Sequence, residues 1–280
     1  MKDELLRRYR TDRFQTVYGL TGKGVVWLAE HDVDATASVR RVSDMTNPEH
    51  RLWAQFLALC CEARGLTAYT EQELLLVLAK TESSGQAAPQ GLLTVKAQSS
   101  RGQRTLELRP DAVAIESDGL TWFEVDRSAR GAQRASSLKS LVLAIGRNTR
   151  LGERLRRVIV LTRTPRIEHR VLAALNALAS ESSGYALCEG RRVLLSCGPG
   201  AFSVICTVEQ MLGDGRTQLV DVPVGHVIVQ ALPMWLPKFR LDGRDGHSCS
   251  GWLPENYLPY RRLPSMSPWH QPASPLLRSD

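Results

Sequence analysis

The stretch RPDAVAIESDGLTWFEVDRSARG, residues 109–131, carries three carboxylates, Asp111, Glu124 and Asp126, at the ends of two short apolar runs. Acids so placed have two chemical uses. They can hold Mg²⁺ or Mn²⁺, hard cations that take carboxylate oxygens and keep several waters, as phosphodiester hydrolysis requires. Or they can balance the arginines that follow, Arg127, Arg130 and Arg134, in an internal charge network. An Asp-Gly pair favours a two-residue hairpin loop. With Asp118 and Gly119 as that loop, Ser117 faces Leu120, Asp111 faces Asp126, and Glu124 lies diagonal to Asp111. Side chains alternate with a period of two, so all three acids are expected on one face of the sheet. Like charges crowded in this way need a proton, an arginine or a cation among them.

Helices and strands must frame this hairpin. Upstream, Asn47-Pro48 is a helix start, and PEHRLWAQFLALCCEARG puts Leu52, Phe56, Leu59 and Cys60 on one helical face before Gly65 stops it. LTAYTEQELLLVLA reads equally as strand or helix, KTESSGQAAPQG as a surface loop, and LLTVKAQ and RTLELRPDAVAIES as strands. Downstream, GAQRASSLKSLVLAIG is a helix with Leu138, Leu141, Val142 and Ile145 as its buried stripe; RRVIVLTRT is a β-branched strand and RIEHRVLAALNALAS an amphipathic helix. YALCEG and RRVLLSC are two further strands or edges. Helix, antiparallel strands, helix, strand, helix predicts an α/β fold with a mixed sheet. At the N-terminus a helix, a short strand and a helix capped by Thr21 and running through Glu30 are expected. From residue 231 onward prolines are frequent and periodicity stops, which predicts an extended segment draped on the body or on a partner.

Charge is unevenly distributed. Residues 127–170 hold twelve Lys and Arg against Glu153 and Glu168, a net +10 where the whole chain has +7, so the remainder nets −3. Such a run can be a solvated helical face. Directly after an acidic triad it also suits a polyanion that must approach metal-binding carboxylates. The candidate phosphate contacts are Arg127, Arg130, Arg134, Arg147, Arg150, Arg154, Arg156 and Arg157.

Several chemistries are disfavoured. The six cysteines form no C-x-x-C pair or zinc spacing, and those in FLALCCEA and FSVICTV read as buried thiols of a protein in a reducing cytoplasm. No run of about 18 apolar residues or signal core appears, so neither a membrane span nor export is expected. Ser136 and Ser137 have no nearby His/Asp partners, and GLTGKG lacks phosphate-loop spacing. His50, at a helix start, reads as a structural hydrogen-bonder.

RPDAV, the turn, FEVDRS and a following helix with Lys139 resemble the replication-relaxation family of plasmid and integrative-element proteins. EHRLWAQFLALCCEARG is similar to that family's helix ahead of the acidic strands, and YGLTGKGVVWL to the end of its winged-helix region; the resemblance covers roughly residues 15–145. It implies a restriction-endonuclease-like mixed sheet flanked by helices, of the P-D-(D/E)-x-K nuclease kind. It also implies a winged-helix-like remnant and linker over residues 1–47 and a nuclease-like α/β domain over 48–230, beside the Pro/aromatic-rich tail that composition marks over 231–280. Asp111 and Glu124 then match the metal-binding acids, with Mg or Mn as cofactor and DNA as partner. Asp126 stands where such a nuclease has its lysine, a departure that removes a group stabilising transition-state charge. Lys139, on the next helix, is the substitute, and Glu49 or Glu62 a further carboxylate.

Two readings follow. One is a DNA-binding protein of plasmid or mobile-element replication or relaxation, working with other replication or transfer proteins. A Mg-dependent nickase with Asp111, Glu124, Asp126 and Lys139 as catalytic residues is its enzymatic version. The other is a non-catalytic subunit that docks on a larger complex through its Pro/Trp-rich tail.

Overall fold

Strand pairing, more than local propensity, decides the form taken by Leu6–Arg10. The computed structural model describes residues 4–10, 16–33, 35, 48–81, 89–99, 102–126, 132–182, 188–213, 215–232 and 257–272. They fall into two compact units, Met1–Leu52 and Trp53–Asp280. In the first, β1 (Leu6–Arg10) and β2 (Thr16–Leu20) form an antiparallel hairpin with Leu6 opposite Leu20, and α1 (Gly22–Ala29) follows. The expected first helix is therefore a strand, because the backbone of Leu6–Arg10 finds its partners across the hairpin. Thr21 caps α1 as expected: its side-chain oxygen accepts from the Gly24 N–H at 3.1 Å. A Cβ on Gly24 would lie 2.3 Å from the Leu5 carbonyl, so only glycine lets the helix start press against the strand.

The helix α2 (Pro48–Glu62) spans the division between the units. Beyond it come β3 (Thr67–Thr70), α3 (Glu71–Thr81), β4 (Leu93–Ser99), β5 (Gly102–Leu108), β6 (Ala112–Glu116), β7 (Gly119–Asp126), α4 (Ala132–Val142), β8 (Leu155–Thr162), α5 (Pro165–Ser182), β9 (Arg192–Gly198), β10 (Ala201–Met211) and β11 (Thr217–Ala231). The segment that read equally as strand or helix is both, β3 leading directly into α3. Seven strands form a mixed sheet in the order β3-β6-β7-β8-β11-β10-β9, while β4 and β5 make a separate hairpin. RTLELRPDAVAIES thus divides at Arg109–Asp111, its first half pairing with β4 and its second entering the main sheet. β7 and β8 are parallel, which demands a crossover; α4 supplies it.

Period-two alternation sorts the sheet's two faces. Val113, Leu120, Trp122, Val158, Val160, Val227 and Val229 pack beneath α3, α4, α5 and the β4–β5 hairpin. Ala112, Ala114, Phe123, Val125, Ile159, Leu161 and Ile228 face the other way, under α2 and residues of the C-terminal segment. Among the described residues of that segment, 257–272, neither helix nor strand occurs. Tyr260 is nonetheless fully buried, with Leu263, Met266 and Trp269 packed around the same cluster, so this stretch of chain covers a sheet face as a helix would. No described helix is long and apolar enough to cross a membrane.

The β6–β7 register departs from the expected one. Glu116 pairs with Gly119 and Ala112 with Phe123, so the loop is Ser117-Asp118. Glu4 and Asp32 are the only positive-φ residues other than glycine among those described, so the loop is not the type with two positive-φ central residues that an Asp-Gly pair favours. Gly119 takes φ 131° inside the strand end instead. A Cβ there would sit 2.5 Å from the Arg154 carbonyl and 2.6 Å from the Arg156 side chain. That carbonyl accepts the Leu120 N–H at 2.8 Å. The glycine serves close approach between neighbouring strands. Gly119→Ala is expected to cost about 2–3 kcal/mol in chemical denaturation, since it combines an unfavourable φ with a backbone clash; a cost below about 0.5 kcal/mol would show that the approach is not a constraint.

Candidate functional site

The observed register brings two of the three acids directly together. One step beyond the Ala112–Phe123 pair, the Asp111 N–H donates to the Phe123 carbonyl at 3.0 Å, placing Asp111 opposite Glu124. The expected partner, Asp126, lies two residues further along β7. Because the shift is an even number of residues, alternation still puts Asp111, Glu124 and Asp126 on the face that holds Trp122. Each facing acid is oriented by an N–H donor. One Asp111 oxygen accepts from the Val125 N–H at 2.6 Å, and one Glu124 oxygen accepts from the Trp122 indole at 2.8 Å. Pro110 precedes Asp111, and the carboxylate extends the pairing with β7 past Ala112, the first residue of β6. Asp126 is buried at the end of β7.

Asp111, Glu124 and Asp126 each make a further interaction besides these hydrogen bonds. Among the described residues, no group of three or more His, Cys, Asp or Glu is arranged to hold a metal ion. A divalent cation here would rest on Asp111 and Glu124, with water or phosphate oxygens filling its remaining positions.

Lys139 does not reach these acids. It is half-exposed and pairs with Glu181, near the end of α5, at 2.5 Å. Glu62, at the last turn of α2, has its carboxyl raised above the usual range, first by burial and then by the like charge of Glu73. Its charged neighbour is Glu73 of α3. His50 lies in the first turn of α2. The side chains of Glu49, Arg127, Arg130 and Arg134 fall outside the described residues.

The arginines of 147–157 sit at the opposite end of the strands. Leu155 pairs with Leu120 and Thr162 with Asp126, so the start of β8 lies ~20 Å from Asp126 at about 3.3 Å per residue. The cations of 147–157 are therefore carried away from the acids by the length of α4. Arg163, whose N–H donates to the Asp126 carbonyl at 3.2 Å, lies at the acids' end. Not all of the 147–157 cations face solvent. Arg150 donates to both Glu107 oxygens, at 2.8 and 3.2 Å, and to the Gly91 carbonyl at 2.7 Å, tying down the β4–β5 hairpin. Arg156 donates to the Val224 carbonyl at 2.8 Å. Arg157 is 4% exposed and wholly committed to internal partners, which removes it from the candidate phosphate contacts. Arg147 and Arg154 remain exposed.

The commitment of Arg157 exposes a cluster that the sequence did not announce. Glu116, on the sheet face away from Asp111, accepts from the Thr121 hydroxyl at 2.5 Å, the Tyr260 hydroxyl at 2.7 Å and the Arg262 guanidinium at 2.6 Å, with Arg157 at 3.3 Å. Arg157 also donates to the Tyr260 oxygen at 2.9 Å and grips both oxygens of Asp118 in the hairpin loop. The Arg262 guanidinium lies 3.7 Å from the centre of the Trp269 ring. Two carboxylates, Glu116 buried and Asp118 half-exposed, thus meet two guanidiniums, and the cluster is electrically neutral. Burial would raise the Glu116 carboxyl, but Arg157, the Thr121 and Tyr260 hydroxyls and Arg262 outweigh it and hold the group below the usual carboxylate range. Burial raises the Tyr260 hydroxyl. His226, opposite Arg157 on β11, is held below the ordinary imidazole value by burial, and further by Arg157 and Arg156. Four elements distant in sequence converge here, and no local pattern signals it.

Both perturbed groups make acid destabilising. The unfolded chain protonates His226 near its ordinary value of 6.5 while the fold resists, so stability falls as pH drops below about 6.5. Glu116 stabilises the fold above its ordinary value of 4.5 and loses that contribution as pH falls through its lower folded value. Melting temperatures are expected to decline in two stages on acidification, with His226→Asn flattening the upper one. Glu116→Gln, which strips two arginines of their buried counter-charge, is expected to cost about 3 kcal/mol near neutral pH. A Glu116→Gln protein as stable as the parent would show that the cluster does not hold the C-terminal segment.

No family model, no curated protein and no solved structure matches this chain.

Proposed function

We propose that this chain is a DNA-binding protein of plasmid or mobile-element replication or relaxation, and that it holds nucleic-acid phosphates with arginines at the start of β8. The observation carrying this reading is the difference in partners between neighbouring arginines. Arg150 and Arg157 are neutralised internally, whereas Arg147 and Arg154 are exposed and have no carboxylate partner among the described residues. Their backbones are fixed: the Leu155 N–H donates to the Arg147 carbonyl at 2.9 Å, and Asn148 bridges Arg154. Fixed, solvent-facing cations without counter-charges suit a polyanion, whose binding releases condensed counterions.

Two further features support the reading. A seven-stranded mixed sheet covered on both faces fits the nuclease-like core that the Pro-Asp to Glu-x-Asp-Arg resemblance implies. A hairpin leading into a Thr21-capped helix, with Arg7 and Arg8 exposed on β1, fits a winged-helix remnant. In such a core Asp111 and Glu124 would hold Mg²⁺ or Mn²⁺, and the ion would polarise a phosphate oxygen. Cleavage is the weaker version of the proposal. The lysine that would assist it is engaged by Glu181, and Asp126 occupies the in-line position. The tail-docking alternative loses support over residues 257–272, where Tyr260 and Trp269 are spent on the chain's own sheet.

The reading predicts that affinity for a fluorescent duplex oligonucleotide, followed by anisotropy, falls about a hundredfold between roughly 50 and 200 mM salt. Arg154→Ser should flatten that slope by about one. With Mg²⁺ or Mn²⁺ the wild-type chain should leave supercoiled plasmid intact. Nicking that Asp111→Ala and Glu124→Ala abolish would turn the reading to a nickase, and absence of any salt-sensitive binding would end it.

A further inference from the structure

Arg192 opens β9, far in sequence from the basic segment, yet its guanidinium is anchored to that segment. Its Nε donates to the Ile145 carbonyl at 2.9 Å, two residues before Arg147, and a second nitrogen reaches the Gly190 carbonyl at 3.3 Å. Arg147 is held by its own backbone, its N–H donating to the Ala144 carbonyl at 3.0 Å and its carbonyl accepting from Leu155 at 2.9 Å. The two cations therefore share one corner of the fold, at the end of α4, and each projects from a fixed point. Partial burial first, and then to a smaller extent the field of Arg147, makes the charged form of Arg192 less favourable.

Neither guanidinium has a carboxylate partner among the described residues, unlike Arg150 and Arg157 nearby. Two like charges brought to one corner at the edge of a sheet are unfavourable unless a third group of opposite sign joins them. Carbonyl oxygens anchor Arg192 but supply no net charge. Guanidinium donors in a fixed fork match the oxygens of a phosphate.

We propose that Arg147 and Arg192 together form a phosphate subsite, occupied by a backbone phosphodiester of the bound nucleic acid. This rests on the DNA-binding reading and adds to it a residue from outside the basic run and a position. The subsite lies on the sheet end away from Asp111 and Glu124, so the strand it holds is gripped at a distance from the acidic hairpin. Arg192 is the anchored member and Arg147 the exposed one; together they would bracket one phosphate.

The test has two arms. In the first, inorganic pyrophosphate is added to the wild-type chain, Arg147→Ser and Arg192→Lys, and the melting temperature is followed. Wild type should be stabilised, Arg147→Ser should lose the effect, and Arg192→Lys, which keeps the charge but not the fork, should lose most of it. In the second arm, the salt dependence of duplex binding is measured for the same proteins. Arg147→Ser should weaken binding about tenfold at roughly 0.1 M salt and reduce the slope by about one. Arg166→Ser and Arg170→Ser, on α5, should change neither readout. Pyrophosphate stabilisation without DNA binding keeps the subsite and rejects the DNA-binding reading. DNA binding with wild-type affinity and slope in both Arg147→Ser and Arg192→Lys overturns the subsite while leaving that reading standing. Because Arg147 contributes no side-chain contact to the core, its variant remains informative even where Arg192→Lys is unstable.

Discussion

A missing Cβ sets most of what matters here. Gly119 lies so close to the Arg154 carbonyl that any side chain would collide with it, and this approach aligns the start of β7 with the start of β8. From that alignment the hairpin register follows, with Glu116 opposite Gly119 and Asp111 opposite Glu124. The same alignment puts Arg157 beside Thr121, within reach of both Glu116 and Asp118. One contact thus specifies the acidic end on one sheet face and the neutral buried cluster on the other. Moving β7 by a single residue would exchange its faces, sending Glu124 under α2 and Phe123 toward α4.

The buried cluster and the exposed arginines are two outcomes for the same residue type. Burying a guanidinium is costly unless carboxylates and hydroxyls satisfy it, and Glu116, Asp118 and Tyr260 do so for Arg157. What this arrangement secures is placement: Tyr260 and Arg262 can enter the core only in the one position that completes the cluster, which fixes the C-terminal segment across α2's side of the sheet. Arg147, Arg154 and Arg192 have no carboxylate partner among the described residues and stay at the rim. A count of positive charge along the sequence merges these two populations; their partners separate them.

The hairpin, α2, α4, β8 and α5 were legible because each carries a strong local pattern: a turn signal, a proline-started apolar stripe, a β-branched run. The sharing of one face by Asp111, Glu124 and Asp126 was legible too, since it depends on parity and an error of two residues leaves parity intact. Which acid faces which was not, because Asp118-Gly119 signals a turn equally well whether glycine is in the loop or just after it. The strand at Leu6–Arg10 was hidden because its hydrogen bonds belong to β2, and a charged LRRYR run has no helical or strand period of its own. Glu116 looked like an ordinary acid at a strand end, as its partners are 5, 41 and 144 residues away. Separation of Arg147 from Asp126 by the length of α4 required knowing that β7 and β8 run parallel.

On the proposed function, nucleic acid is held at the β8-start end of the sheet. Amide hydrogen exchange of the whole chain with and without a duplex oligonucleotide addresses it directly. Protection on binding is predicted over residues 143–154 and 188–195, with residues 109–113 and 122–126 unchanged. Protection confined to the acidic hairpin, with the loop after α4 unaffected, would contradict it.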